Sequence, residues 1–281
     1  MPTPASSQST TWNPQHYLRF AQQRAQPFVD LLARVRAGDG AGDAAEPGYV
    51  VDLGCGPGNA TELLTRRWPG ARVLGVDSSP QMIEAASARA VPGRLEFRLG
   101  DLRQLTLDQL DRPADVLITN ATLHWVPGHL ELLPRLAGLL APGGTFALGV
   151  PGNFDSPPHT TLADLQREPR WASLLTGLEV RPAVPGPQDY LRALDAAGLA
   201  AEAWETTYMY VVDGEDGVFD FVSSTALRPV LVELGGPETP AAIEFCDEYR
   251  AALRALFPVT ELGGRGVQLL PFRRVFALGV R

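Results

Sequence analysis

Short apolar runs separated by amphipathic stretches organise the middle of the chain. The runs Tyr49–Leu53, Arg72–Asp77, Leu95–Gly100, Asp115–Asn120 and Thr145–Pro151 read as strands. Their centres, Val73–Val76 and Val116–Ile118 among them, are apolar enough for burial on both faces of a sheet. Helical spacing fills the gaps at Ala60–Trp68, at Pro80–Ala90 behind a capping Ser79, and at Leu130–Leu140. This alternation predicts an α/β fold built on a mainly parallel sheet. Ahead of it, Asn13-Pro14 is a helix start, and the apolar spacing from Tyr17 to Val35 carries that helix to Arg36. Residues 1–11 read as a disordered tail and Ala37–Gly48 as a flexible link.

The second half is less regular. Val150–Gly186 is proline-rich, with one helix near Thr160–Arg167, and Gln188–Ala197 reads as a further helix leading into a long strand, Glu202–Val212. Phe219–Leu234 and Ala241–Leu256 read as helices and Gly263–Gly266 as a flexible turn, before a last strand, Val267–Val280, entered through Pro271. One seven-stranded sheet with a helical insertion between its last two strands accounts for this order better than two independent domains. The expected division is a single domain over 12–281, with a ligand-binding core at 49–150 and cap segments at 151–187 and 213–266.

Composition narrows the function classes. With 45% hydrophobic and 20% charged residues, the 281-residue chain has the balance of an ordinary soluble globular protein. A net charge of -8 argues against a nucleic-acid-coating surface. All 24 basic residues are arginine, which excludes a Schiff-base lysine and a P-loop lysine. Two cysteines are too few for a disulfide framework or a cysteine zinc site, so no metal is expected. No apolar run approaches the roughly 20 residues of a membrane span, and the first residues lack the features of a secretory signal, so the expectation is a cytoplasmic protein.

The segment Val50-Val51-Asp52-Leu53-Gly54-Cys55-Gly56-Pro57-Gly58-Asn59 places a tight glycine turn between a strand and a helix. Glycines there let backbone approach a ligand at the carboxyl end of the sheet. A dinucleotide site prefers a third glycine where Asn59 stands, and Asp52 would repel a pyrophosphate. The same aspartate could help hold the cationic amino-acid end of S-adenosylmethionine. Asp77, closing the second strand, can accept bonds from both ribose hydroxyls of either cofactor. Gly100-Asp101-Leu102 offers a carboxylate and an apolar side chain to an adenine, and the fourth strand ends at Asn120, ahead of Leu123-His124-Trp125.

This order, from Val50 to Val150 and including the turn Leu140-Ala141-Pro142-Gly143-Gly144, resembles the class I methyltransferases that use S-adenosylmethionine. The resemblance implies a Rossmann-like sheet with an antiparallel last strand. It also implies cofactor contacts from Asp52, Gly54, Cys55, Gly56, Asp77, Ser78, Met82, Asp101, Leu102, Asn120 and Trp125. Patches outside that core are similar to the trans-aconitate 2-methyltransferases. They are Trp12-Asn13-Pro14-Gln15-His16-Tyr17-Leu18-Arg19-Phe20, Trp125-Val126-Pro127, Val150-Pro151-Gly152-Asn153 with His159, Leu227-Arg228-Pro229 and Leu270-Pro271-Phe272-Arg273-Arg274. The family implies methyl transfer to a carboxylate of a small polycarboxylate, under a cap to which the N-terminal helix contributes. The chain departs from the family pattern at Asp155-Ser156-Pro157-Pro158-His159, where Gln-Glu-Pro-Ser-His is expected, and at His124, where glutamine is expected.

A carboxylate acceptor with a pKa near ~4 is ionised at neutral pH and needs no general base. It does need fixed cations on its spectator carboxylates, and the arginine fork suits them. Arg19, Arg228 and the pair Arg273 and Arg274 are the candidates, with Tyr17 and His159 as weaker donors near the attacking group. His124 is either a structural histidine or, for a hydroxyl or amine acceptor, a base. His16 and His129 read as exposed, with no role. A NAD-dependent oxidoreductase and a non-catalytic cofactor sensor are the competing functions.

Overall fold

The computed structural model describes residues 21–36, 46–178, 183–223 and 225–281. Residues 1–11, Tyr17 and Arg19 lie outside these. Among the described residues, eight strands form one sheet in the order β3-β2-β1-β4-β5-β8-β6, with β7 paired to β8. The strands are β1 (Tyr49–Leu53), β2 (Arg72–Asp77), β3 (Leu95–Leu99), β4 (Ala114–Asn120), β5 (Leu140–Pro151), β6 (Ala200–Asp213), β7 (Thr260–Leu262) and β8 (Arg265–Val280). The pairs β1–β2, β2–β3, β1–β4 and β4–β5 are parallel. β8 runs antiparallel to β5, with Thr145 opposite Val280 and Pro151 opposite Arg274.

The helices are α1 (Ala21–Arg34), α2 (Thr61–Arg67), α3 (Pro80–Ser87), α4 (His129–Ala137), α5 (Pro157–Arg167), α6 (Pro169–Ala172), α7 (Pro187–Ala196), α8 (Gly217–Ser223), α9 (Arg228–Glu233) and α10 (Pro240–Leu256). None is long and apolar enough to cross a membrane among the described residues.

The chain forms two compact units. One comprises Arg24–Gly152, Val184–Thr207 and Arg273–Arg281. Its core is the apolar runs read from the sequence: all five residues of β1 are buried, and Leu117, Phe146 and Leu148 pack with Leu133 and Leu136 of α4 and Tyr190 and Leu194 of α7. Ser79 caps α3 as expected, its Oγ accepting from the Met82 N–H at 3.4 Å. Thr145 Oγ donates to the Arg36 carbonyl (2.7 Å), tying the segment after α1 to β5.

The other unit takes Asn153–Ala183 and Tyr208–Phe272 among its segments. Its separate core gathers Leu162, Trp171, Tyr210, Phe221, Phe245 and Tyr249. Tyr249 Oη donates to the Pro158 carbonyl at 2.8 Å, and Gln268 spans from the Val218 N–H to the Phe257 carbonyl.

Three local readings are corrected. Phe219–Leu234 is two helices, because Pro229 has no N–H for the Thr225 carbonyl and starts a new helix in its first turn instead. The Gly263–Gly266 segment is no loose turn: Gly263 and Gly264 take φ of +60° and +77°, closing a hairpin that adds β7 to the seven expected strands. Pro271 lies inside β8, which begins at Arg265.

Candidate active site

The glycine turn is held from three directions. The Gly54 and Cys55 N–H groups donate to the Val76 carbonyl at 2.7 and 3.1 Å, tying the turn to β2. Thr122, just beyond β4, donates through Oγ to the Gly54 carbonyl (3.2 Å). The Gly56 N–H donates to Asp77 Oδ2 at 2.9 Å, while Asp77 Oδ1 accepts from the Ser79 N–H at the same distance. Asp77 thus fixes both the turn and the start of α3 while standing at a strand end, where a ligand hydroxyl can reach its remaining lone pairs.

Gly54 and Gly56 are required for different reasons. Both have left-handed backbone, with φ of +75° and +54°. At Gly54 a Cβ would lie 2.2 Å from the Thr122 side chain, whereas at Gly56 it would meet nothing within 4 Å. The space over Gly56 is therefore open for a ligand to approach the backbone.

Beneath the turn, Asp52 is 3% exposed and its Oδ2 accepts from Thr61 Oγ at 2.7 Å. Burial pushes its pKa up to about 6, against the Thr61 hydrogen bond and with help from nearby Asp77. Cys55 is buried, and burial raises its thiol pKa far from any reactive range.

At the end of β3, Arg103 grips Asp101: Nε lies 3.0 and 2.9 Å from its two oxygens and Nη2 2.6 Å from one, which holds the carboxyl below its usual range. Leu102 is buried in the unit's core rather than set on an open face, whereas Met82 is 40% exposed on α3 and Ser78 is exposed. The Oδ1 atom of Asn120, at the end of β4, is buried with no hydrogen-bond partner among the described residues. A buried acceptor of this kind calls for a donor such as an ammonium group. Together with the open space over Gly56 and the hydroxyl-accepting Asp77, it fits the amino-acid and ribose portions of a sulfonium nucleoside.

After Asn120, Ala121 takes a left-handed φ of +54°, and a short turn, Leu123–Trp125, follows. It presents half-buried His124 and 57%-exposed Trp125, whose rings lie 4.9 Å apart. Asn120, His124 and Trp125 are thus brought to one strand end, on the segment that Thr122 fastens to the glycine turn. His129 is corrected: it is 6% exposed, not a surface residue.

Of the two adjacent arginines of β8, Arg273 is engaged by Glu205, at 2.9 Å from Nε and 2.7 Å from Nη2, and Arg274 is 5% exposed.

His159 and Arg228 belong to the other unit. There the Asn153 amide nitrogen lies 3.1 Å from His159 Nε2, and Phe154 packs its ring 5.2 Å from the imidazole. With Nε2 accepting from Asn153, the neutral ring keeps its proton on Nδ1. Arg228 opens α9, half-buried.

Residues the sequence reading left out are Thr61, Thr122 and Asn153 as partners of the named groups, and Ala121 for its backbone. Only Asn153 carried a signal, as part of the Val150–Asn153 patch.

A methyltransferase-domain family model matches residues 50–144. The chain is 49% identical over 273 residues to a trans-aconitate 2-methyltransferase of Streptomyces avermitilis, covering 95% of this chain and 96% of that one. It is 43% identical to a protein of the same name from Mycolicibacterium gilvum, with 95% and 98% covered. Among solved structures, the Bacillus YcgJ protein superposes with a TM-score of 0.53 at 17% identity, covering 92% of this chain and 98% of that one. Haemonchus contortus phosphoethanolamine N-methyltransferase 2, solved with S-adenosyl-L-methionine, gives 0.51 at 14% identity, with 91% and 52% covered. These two likenesses concern the fold.

Proposed function

The chain belongs to the trans-aconitate 2-methyltransferase family, and on that premise we propose that it methylates a carboxylate of trans-aconitate, leaving the monomethyl ester and S-adenosylhomocysteine. The observation that carries the substrate is a likeness of 49% identity over 95% of the chain, well beyond the cofactor core. S-adenosylmethionine is the methyl donor of the family. When bound, it supplies an electrophilic sulfonium methyl that an ionised carboxylate can take in line.

The protein's work is then placement and exclusion of water rather than proton transfer. The backbone at Gly54 and Gly56, with Asp77 on the ribose hydroxyls, would hold the donor, and Asn120 Oδ1 would accept from its ammonium group. Buried Asp52 would supply negative potential under the same cation. Cys55, Ser78, Met82, Asp101, Leu102 and Trp125 complete the proposed cofactor set, with Asp101 shared between Arg103 and the adenine edge and Leu102 contributing backbone, since its side chain faces the core. Arg19, Arg228 and Arg274 would hold spectator carboxylates, leaving Tyr17 and the Nδ1–H of His159 as gentler donors to the attacking group. Arg273, the neighbour of Arg274, bonds Glu205. The unit holding His159 and Arg228 would serve as acceptor-side cap of one methyltransferase domain, working in the cytoplasm, where both free thiols stay reduced.

The decisive experiment is a methyl-transfer assay over a panel of di- and tricarboxylates with mass detection of the ester. Trans-aconitate is expected to give the highest kcat/KM, and a rate flat above pH ~5 is expected of an acceptor that is already ionised. Preferential methylation of a hydroxyl or amine, with a break near the histidine pKa, would sink the reading and make His124 a base.

Two substitutions test the assignments. Asp77→Ala should weaken S-adenosylhomocysteine binding by about 2 kcal/mol, roughly 30-fold, as for a lost charged hydrogen bond; an unchanged calorimetric Kd refutes the ribose role. Arg228→Ala should raise the acceptor KM roughly 10-fold with donor affinity intact, a split that loss of folding would not give.

A further inference from the structure

The turn that presents His124 and Trp125 is joined to α4 through Val126-Pro127-Gly128, a connection with little backbone bonding of its own. Pro127 has no N–H, and Gly128 takes a left-handed φ of +66°. Trp125 N–H bonds Thr122 and Val126 N–H bonds Leu123 within the turn, the Gly128 carbonyl accepts from Glu131 N–H of α4 at 3.0 Å, and among the described residues no backbone bond crosses from Val126 to α4.

A side chain makes that crossing. His129, the first residue of α4, lies 3.1 Å through Nδ1 from the Val126 carbonyl, and its Nε2 lies 2.6 Å from Tyr190 Oη on α7. The two rings stack at 5.6 Å and 22°, and Tyr190 is fully buried. A carbonyl can only accept, so Nδ1 carries the proton, and the neutral ring accepts at Nε2 from the tyrosine hydroxyl. Burial lowers the His129 pKa, which favours that neutral form. The relay therefore has one direction: Tyr190 O–H to His129, His129 N–H to Val126.

We infer that His129 and Tyr190 are positioning residues that set the turn Leu123–Trp125 through the Val126 carbonyl, and with it the placement of His124 and Trp125. At its other end the turn is fastened by Thr122, bonded to the carbonyls of Gly54 and Asn120 at 3.2 Å each, and by fully buried Leu123. Without the histidine relay the turn keeps its grip on the glycine loop but loses its register against α4 and α7. The consequence for catalysis rests on the proposed function, extended here so that this turn, with His124 beside Trp125, walls the acceptor side while Trp125 also borders the donor. The predicted defect is then larger in acceptor recognition than in donor binding.

The test uses the full-length chain labelled with 5-fluorotryptophan, with the Trp125 resonance assigned by its loss in Trp125→Phe. Tyr190→Phe keeps the ring stack and removes only the hydroxyl. His129→Leu removes both bonds, while in His129→Asn the amide nitrogen takes the place of Nδ1 and keeps the bond to Val126.

The expected result is a displaced or broadened Trp125 resonance in Tyr190→Phe, a larger displacement in His129→Leu, and a position in His129→Asn close to that of Tyr190→Phe, since both keep the bond to Val126 and lose the tyrosine's. The acceptor KM should rise about 5- to 10-fold in the first two, with S-adenosylhomocysteine affinity within twofold of the parent. A Trp125 resonance unmoved in Tyr190→Phe overturns the inference. So does a parallel loss of thermal stability, donor affinity and acceptor KM, which would reduce the pair to ordinary core. A moved resonance with unchanged kinetics upholds the positioning and removes the turn from the acceptor site. Should His129→Leu fail to fold, Tyr190→Phe and His129→Asn still decide.

Discussion

Gly54→Ala is expected to destabilise the protein by about 2–5 kcal/mol and to abolish measurable cofactor binding. Two costs combine. An L-residue at a φ of +75° loses about 1–2 kcal/mol to contact between its Cβ and its own backbone. The new methyl would also stand 2.2 Å from both Oγ1 and Cγ2 of Thr122, and overpacking of that kind costs about 1–3 kcal/mol. Thr122 cannot step aside freely, because its hydroxyl bonds the Gly54 and Asn120 carbonyls. Relief must come from the turn itself, which moves the Gly56 N–H away from Asp77. Urea unfolding and calorimetry with S-adenosylhomocysteine measure the two effects. Adding Thr122→Ala should recover part of the stability, since the Oγ1 and Cγ2 contacts go while a Cβ at 2.6 Å stays. Wild-type stability and affinity in Gly54→Ala would show that the turn does not pack as described.

Asp52→Asn is expected to stabilise the cofactor-free protein by about 3 kcal/mol at pH 7.5 and to bring almost no gain at pH 4. The folded protein raises the Asp52 pKa from 3.8 to about 6, and each unit corresponds to about 1.4 kcal/mol. Below pH ~4 the carboxyl is protonated in both states and the buried group is not penalised. Between pH ~4 and ~6 the native state holds a proton that the unfolded chain has released, so stability falls as pH rises. Above ~6 the full cost of an ionised, buried carboxylate is present. Asparagine cannot ionise and still accepts from Thr61, so its stability curve should lack that fall. The same variant should bind S-adenosylmethionine less tightly, since it removes the negative charge proposed to face the donor's cation. Parallel curves for the two proteins from pH 4 to 8 would refute the account. A stable variant with a poorer site is the usual trade where a buried charge serves a ligand.

The central strands and the glycine turn were legible because their signals are local. Five-residue apolar runs bounded by turns can only be buried strands, and Gly54-Cys55-Gly56 between a strand and a helix can only be a sharp bend near the sheet's edge of ligand contact. Asp77 was legible for the same reason, as a carboxylate at a strand end. His129 could have been read better: with Leu133, Leu136 and Ala137 it falls at the spacing of one helical face, and all four are buried. The break at Pro229 and the Gly263-Gly264 hairpin were likewise written in the chain, as a proline within a helical run and a glycine pair between two short extended segments.

The order of secondary elements, the position of the cofactor turn and the family were determined by the amino-acid sequence, because periodicity, turn chemistry and motif spacing act over a few neighbouring residues. Tertiary structure alone decided that Thr122 braces Gly54 from 68 residues away, that Leu102 faces the core, and that Asp52 lies sealed beneath the turn. Those outcomes depend on how strands distant in the chain are brought side by side and on how much water is left around each group, neither of which a run of adjacent residues encodes.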